Sequence, residues 1–164
     1  MLFTIEQQAF IDPVVVMCRF WQMFVVDALL GNFDRHNGNW GFLVNEMTGE
    51  AKLAPVFDCA SCLLPQADDS IMRLCLSDER EMNARIFSFP TSMLKVDGKK
   101  INYFNYLHSS DKPTGLIEAL DLLLDRIGTL DFAEFIGGIV YLTELQKEFY
   151  ISYLNARRRH LFGI

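Results

Sequence analysis

The chain has 164 residues, enough for one domain with a buried core and too few for two ordinary domains. Hydrophobic residues make up 51% of it, which indicates a densely packed core or a domain that covers part of its surface with a partner. The net charge of −6 argues against nucleic acid as a direct partner. We therefore expect a single domain spanning residues 1–164.

The first long predicted helix begins at Asp12-Pro13 and ends at Gly31. Aspartate is a favoured N-cap, proline is favoured at the first helical position, and glycine is favoured in the left-handed position after the last turn. Apolar residues cover more than one face, which predicts a helix buried on most sides at the centre of an α-rich domain.

The apolar run of this helix, residues 14–30, resembles a membrane span only at first sight. It contains Arg19, Gln22 and Asp27 and is shorter than the ~20 residues that a span requires. We expect a core helix, no membrane association and, because no secretory signal is apparent, a cytoplasmic location.

A polar loop, "NFDRHNGN" from Asn32 to Asn39, follows the helix. After it, "WGFLVN" (40–45) and "AKLAPVF" (51–57) predict a β-hairpin with Gly49 in the turn. The two ends of a hairpin lie side by side, so Asn39 before the first strand and Asp58 after the second should be close in space.

The remainder is predicted to be mainly helical. Helices are expected in "SDEREMNARIF" from Ser77 and in "PTGLIEALDLLLDRIG" up to Gly128, and then as one long helix or two shorter ones with a break at Gly137-Gly138. The segment "SMLKVDGKKINYFNYLHSS" contains an Asp97-Gly98 turn and has no assigned state. The basic run of residues 157–160 is expected to cap a helix C-terminus.

The loop and the hairpin together bring Asp34, His36, Asn39 and Asp58 into one candidate site. Asn39 and Asp58 supply the oxygen ligands that Mg²⁺ prefers, whereas a single local histidine and no preceding thiolate disfavour zinc. Asp34 would then be free to accept a proton from a hydroxyl nucleophile. In protein kinases the base and the metal-binding asparagine are five residues apart and a metal-binding aspartate follows a hairpin; here the intervals are five and 19 residues.

The stretches "LLGNFDRHNGNWGFL" and "LAPVFDCAS" resemble the catalytic core of the HipA-like serine/threonine kinases, toxin-type enzymes with a protein-kinase-like fold. The resemblance implies that Asp34 is the catalytic base, that Asn39 and Asp58 hold Mg²⁺, and that His36 supports the shape of the loop. It also implies a mainly α (α+β) fold, that of the helical C-terminal lobe of a kinase with a short hairpin at the catalytic loop.

A kinase of this type also needs an N-terminal lobe with a strand lysine that contacts the phosphates of ATP. Only 33 residues precede Asp34, and most belong to the predicted helix. We therefore expect that lobe to be absent and the isolated chain to be inactive. ATP would bind only with a complementary lobe. The expected partners are an N-lobe polypeptide, an antitoxin-like protein, or a second copy that covers the exposed inter-lobe face.

Other interpretations of these residues stay open. The chain could be a non-catalytic regulatory module with a degenerate kinase-like fold. The Asp-Arg-His-x-x-Asn pattern also resembles lipid kinases, although Asp58-Cys59-Ala60 replaces their Asp-Phe-Gly.

Asp27 is either a charge on a helix face or a residue that orients the loop. The Cys59-x-x-Cys62 spacing occurs in redox and zinc sites, but without a second pair we expect reduced packing thiols.

Overall fold

The computed structural model describes residues 2–164 as eight α-helices, two small antiparallel sheets and a 3₁₀ turn at Asn37–Asn39. The mainly α, α+β class predicted from the sequence is confirmed. In chain order the elements are α1 (Leu2–Gln7), α2 (Pro13–Leu30), β1 (Phe42–Val44), β2 (Ala51–Leu53), α3 (Asp69–Ser77), α4 (Glu79–Phe87), β3 (Thr91–Val96), β4 (Lys99–Asn102), α5 (Tyr103–Leu107), α6 (Thr114–Gly128), α7 (Phe132–Gly137) and α8 (Glu144–Phe162).

Helix α2 lies at the centre of the main core and packs against α6 and α8. Asp12 caps it by accepting a hydrogen bond from the Val14 N–H (2.9 Å), and Gly31 ends it in the left-handed conformation with φ +69°. The predicted burial on most sides is wrong for the first turn, where Val14 and Val15 are 67% and 51% exposed. Their exposure leaves an apolar surface at the N-terminal end of the helix.

The same helix is long and apolar enough to cross a membrane by length and composition alone. Half of its residues are buried inside the protein, as in the core helix of a globular domain.

The hairpin after the loop is shorter than predicted. Strand β1 pairs with β2 so that Phe42 faces Leu53 and Val44 faces Ala51, and Gly49 occupies the turn with φ +73°. A second hairpin occupies the segment left without an assigned state. Its turn is Asp97-Gly98, in which both residues have positive φ angles of 50° and 77°, as in the tight turns that favour this pair.

Helix α3 is the main element that the sequence prediction missed, since helical structure was expected only from Ser77. Asp68 caps α3 by accepting from the Ile71 N–H (2.9 Å). Asp78 ends α3 and caps α4, accepting from the Arg80 N–H (2.8 Å). One aspartate thus serves two consecutive helices, and the nine-residue α3 ends where the predicted helix begins.

The C-terminal part forms two helices, and the predicted break at Gly137-Gly138 is confirmed. Helix α8 starts at a reciprocal cap in which Thr143 and Gln146 each accept from the other's backbone N–H. It also packs on α3, forming a second, smaller hydrophobic cluster. The buried members of that cluster are Leu64, Met72, Cys75, Phe149 and Tyr153.

The basic run near the C-terminus caps helices other than its own. Arg157 is fully buried and donates from Nε to the carbonyls of Ala28 (2.9 Å) and Leu29 (3.1 Å) at the end of α2. Arg158 donates to the carbonyl of Leu130 (2.7 Å), just beyond α6. The expected capping of a helix C-terminus is therefore confirmed, but Arg157 and Arg158 cap the ends of other helices. The contacts of Arg157 attach the end of the chain to α2.

Candidate active site

The loop that carries Asp34 begins at a rigid junction. Gly31 must be glycine here, because its φ is positive and because a Cβ would clash with the Tyr153 hydroxyl and approach Cγ of Pro90 to 2.9 Å. The next residue, Asn32, is fully buried, and its Oδ1 accepts from the Asp34 N–H (3.1 Å). The backbone at Asp34 is therefore held from the end of α2.

The side chain of Asp34 takes no part in this support. The residue is exposed, and its carboxylate accepts no hydrogen bond from any residue that the structure describes. A carboxylate with free lone pairs on an open face can accept a proton from an incoming hydroxyl group.

His36 and Asn39 shape the loop through a reciprocal cap around the 3₁₀ turn. The His36 Nδ1 accepts from the Gly38 N–H (3.0 Å), and the Asn39 Oδ1 accepts from the His36 N–H (3.1 Å). Because Nδ1 is an acceptor, a neutral His36 carries its proton on Nε2. The side chain and the backbone N–H of His36 thus both take part in hydrogen bonds within the loop.

Asn39 and Asp58 are in contact, as the hairpin predicts. The Asn39 Nδ2 donates to Oδ2 of Asp58, which is exposed and has a left-handed backbone with φ +55°. Asn39 itself is buried, with 2% of its surface exposed. The two oxygen-bearing side chains therefore meet at the surface end of the hairpin.

This pair fits Mg²⁺ only with help from a substrate. The described residues contain no group of three or more His, Cys, Asp or Glu side chains that could hold a metal ion. Mg²⁺ is commonly held by one or two carboxylates, waters and substrate phosphates, so Asp58 beside one amide is a sufficient protein contribution. Asn39 has its Oδ1 engaged by His36, and this oxygen's second lone pair remains available.

Arg35 connects the segments of the site, and the sequence analysis gave it no role. It is buried, with 3% of its surface exposed, and forms an ion pair with Asp27 through Nε (2.9 Å) and Nη2 (3.1 Å). Its Nη1 donates to the carbonyls of Asn39 (3.0 Å) and Phe57 (2.6 Å). One guanidinium thus joins α2, the loop and the residue before Asp58.

The contacts of Asp27 favour its interpretation as a residue that orients the loop. Besides Arg35, it accepts from Nδ2 of Asn32 (2.9 Å), whose own carbonyl accepts from the Tyr103 hydroxyl (2.6 Å). Burial alone would lower the pKa of Arg35, but its hydrogen bonds with Asp27 and the charge of that residue outweigh burial and raise it. Burial also raises the pKa of Tyr103 and keeps its hydroxyl a donor.

The two cysteines after Asp58 are free, as are Cys18 and Cys75. Cys59 is exposed and its sulfur accepts from Nη2 of Arg35 at 3.6 Å. Burial raises the pKa of the Cys62 thiol to about 12, so that this thiol stays protonated at neutral pH. This protonated state agrees with a packing role for Cys62 and gives no support to a reactive thiolate.

Comparisons with known proteins include a sequence relative and a solved structure with this architecture, and no protein-family model matches the chain. The chain is 45% identical to the serine/threonine-protein kinase CtkA of Helicobacter pylori over an alignment of 164 positions, which covers 99% of this chain and 50% of that protein. A crystal structure of a Helicobacter pylori proinflammatory kinase CtkA superposes with a TM-score of 0.93 at 44% identity, covering 99% of this chain and 59% of that one.

The chain therefore spans about half the length of the kinase that it resembles. Its similarity extends over nearly all of its own residues, including the loop, both hairpins and α8. The sequence is thus related to a serine/threonine protein kinase.

Proposed function

We propose that the chain is the C-terminal lobe of a HipA-like serine/threonine protein kinase and carries the residues for Mg²⁺-dependent phosphoryl transfer from ATP. The observation that carries the proposal is the contact between Asn39 and Asp58, together with the exposed carboxylate of Asp34 on the same loop as Asn39, which accepts no hydrogen bond from the residues that the structure describes. Similarity to a serine/threonine protein kinase over 99% of the chain supports the same reaction class.

In this reaction the oxygen of a serine or threonine hydroxyl attacks the γ-phosphorus, and the bond from that phosphorus to the oxygen of ADP breaks. Asp34 takes the proton of the hydroxyl, a role that needs a carboxylate with no competing donor. Asp58, assisted by Asn39, would hold Mg²⁺, which neutralises phosphate charge when bound. Arg35 keeps the two halves of this arrangement at a fixed separation by binding the carbonyls of Asn39 and Phe57.

Nucleotide binding in this proposal depends on a second lobe, from the same or a separate polypeptide. Residues 2–33, as described, contain two helices and no strand, so they supply no strand lysine for the phosphates. The exposed Val14 and Val15 line an open groove with Leu53 and Pro55, between the start of α2 and the end of β2. An apolar groove beside the hairpin suits the docking of such a lobe or of an antitoxin-like protein.

A non-catalytic binding module is the second candidate. It is favoured by the orientation of the Asn39 amide, which directs its nitrogen toward Asp58 and engages its oxygen with the His36 N–H. In such a module the hydrogen bond between Asn39 and Asp58 would only stabilise the open end of the hairpin.

The two candidates differ in their binding of Mg-ATP, which calorimetry measures directly. We would titrate Mg-ATP into the 164-residue chain alone and into the chain mixed with the part of the CtkA kinase that it does not cover. The kinase proposal expects binding in the mixture, a loss of at least about tenfold with Asp58→Ala, and no change with Asp121→Ala, an exposed control on α6.

Retained Mg-ATP binding in the Asp58→Ala variant would contradict the metal-binding role. If neither the chain nor the mixture binds Mg-ATP, the non-catalytic module is the better description. Asp34→Asn separates the roles further, because it should retain Mg-ATP binding and lose transfer of phosphate to a serine peptide.

A further inference from the structure

A cavity of about 660 Å³ lies beside the candidate catalytic loop, between the middle of α2, the 3₁₀ turn and the β3–β4 hairpin. We propose that this cavity binds the phosphoacceptor and that the preferred acceptor is a protein segment with a bulky apolar side chain flanked by acidic residues. The inference rests on the proposed kinase function and adds to it the class of substrate.

The position of the cavity relative to the loop is the first argument. Its wall includes residues 35–38, which directly follow Asp34, whereas Asp34 itself, Asn39 and Asp58 do not line it. A segment bound here would lie against the loop that carries the proposed base without occupying the place of the metal and the phosphates. For an in-line transfer, the acceptor hydroxyl must reach Asp34 without passing through the space of the metal and the phosphates.

The floor of the cavity is apolar and rigid. Phe20 and Trp21 on α2 are each 3% exposed, and Ile101 on β4 is 7% exposed, so all three belong to the main core. Met93 and Leu94 on β3 are half-buried at its side. A side chain such as phenylalanine or leucine can bury apolar area here without rearrangement of the core, at about 25 cal/mol per Å².

The β3–β4 hairpin, which forms one wall of the cavity, is basic near its tip, in contrast to the net charge of −6 of the whole chain. Lys95, Lys99 and Lys100 are exposed near the tip of the β3–β4 hairpin, and Lys95 also lines the cavity. The hairpin register places Lys95 directly opposite Lys100. Like charges in this position destabilise a hairpin, and an anionic ligand would relieve the repulsion.

These lysines have no counter-charge among the residues that the structure describes. None of the three forms an ion pair with another residue in the part of the chain that the structure describes, and the nearest acid along the hairpin is Asp97 in the turn. Acidic residues of a bound segment would therefore find unpaired ammonium groups next to an apolar cavity. This combination favours an acidic, partly apolar peptide over a purely polar one.

Binding of two fluorescent serine peptides to the 164-residue chain tests the proposal without nucleotide or catalysis. The peptides share one serine and one nearby phenylalanine and differ in their flanking residues, which are glutamates in one and lysines in the other. We expect the acidic peptide to bind about tenfold more tightly in fluorescence anisotropy. Equal affinities would overturn the proposal.

The double variant Lys99→Glu, Lys100→Glu should weaken binding of the acidic peptide about tenfold. The matched control is Lys52→Glu, an exposed lysine on the β1–β2 hairpin that does not line the cavity, and it should change affinity less than about twofold. A control that weakens binding as much as the double variant would contradict a site on the β3–β4 hairpin.

The site itself can be mapped by amide chemical shifts, which should change at residues 36–38 and 93–96 when the acidic peptide is added. Shifts confined to other surfaces, or a single-stranded oligonucleotide that binds more tightly than the peptide, would refute the inference. Failure here is distinguishable from failure of the kinase proposal, because Asp58→Ala should weaken Mg-ATP binding by the mixture at least about tenfold and leave peptide binding by the 164-residue chain unchanged.

Discussion

Arg35 uses one buried guanidinium to hold together three segments that are far apart in sequence. It contacts the carboxylate of Asp27 on α2 and the carbonyls of Asn39, just before the first strand of the hairpin, and of Phe57, just after the second. A planar fork of five donors can bind a carboxylate in two places and still reach carbonyls beside it, which the ammonium group of lysine cannot do.

Replacement of Arg35 by lysine should therefore be costly even though the charge is kept. We expect Arg35→Lys to lower the free energy of unfolding by about 3 kcal/mol, because several donors to a buried carboxylate and to two carbonyls are lost together. Urea denaturation at neutral pH measures the change.

Arg85→Lys is the matched control, since Arg85 forms a partly exposed i,i+4 ion pair with Glu81 at 2.7 Å. Pairs of this kind contribute about 0.3–0.5 kcal/mol, and the control should change stability by no more than that. Equal effects of the two substitutions would mean that Arg35 does not organise the site.

The contact between Asn39 and Asp58 could be predicted from the sequence, whereas the residues that support the loop could not. Turn chemistry and strand pairing were sufficient to bring Asn39 next to Asp58. The partner of Asp27 was not identified, although an acid on an apolar helix requires a nearby cation and Arg35, eight residues later, was available. The roles of Asp34, His36, Asn39 and Asp58 in binding and catalysis stay predictions.

At the level of the helices, the end of α2 is the junction on which the loop depends. Arg157 from α8 donates to the last carbonyls of α2 and, through Nη1, to the carbonyl of Arg85 on α4 (2.9 Å). The carbonyls at a helix C-terminus carry partial negative charge, and a buried guanidinium satisfies several of them at once. Helix α8 thereby fixes both the position of α2 and the start of the loop that carries Asp34.

Removal of this cap should destabilise the whole fold. We expect Arg157→Met, which keeps much of the side-chain volume, to lower the free energy of unfolding by about 2–4 kcal/mol because buried carbonyls lose their donors. Arg159→Met is the control, because Arg159 lies on the same helix and is exposed, and it should change stability by less than about 0.5 kcal/mol. A stable Arg157→Met variant with an unchanged urea midpoint would show that α2 needs no cap from α8.

The elements that the sequence predicted well are those with strong local signals. Asp12-Pro13 and Gly31 bound α2, and Gly137-Gly138 marks the break before α8. Helix α3 and the β3–β4 hairpin were not assigned because each is short and is stabilised by packing on distant segments, which local patterns do not encode. The contacts of Arg157 could not be predicted either, since they join residues more than a hundred positions apart.

For the whole molecule, the distribution of exposed apolar residues indicates where a further lobe or a second copy would bind. Val14 and Val15 lie on one side of α2 and line a groove of about 590 Å³ with Leu53 and Pro55. A separate exposed group, which contains Val140 and the 93% exposed Tyr141, follows α7. The groove lies beside the hairpin that carries Asp58, so its coverage bears on the site, whereas the patch after α7 has no such connection.

The isolated chain should therefore self-associate weakly through the α2 groove. We expect sedimentation velocity to show a concentration-dependent dimer and expect Val15→Lys to raise its dissociation constant at least about tenfold, because a charge would have to be buried in an apolar contact. Val140→Lys makes the same substitution at an exposed valine of the other patch and should leave the monomer–dimer equilibrium unchanged. If Val140→Lys abolishes the dimer and Val15→Lys does not, the dimer contact lies after α7 and the prediction of self-association through the α2 groove is wrong.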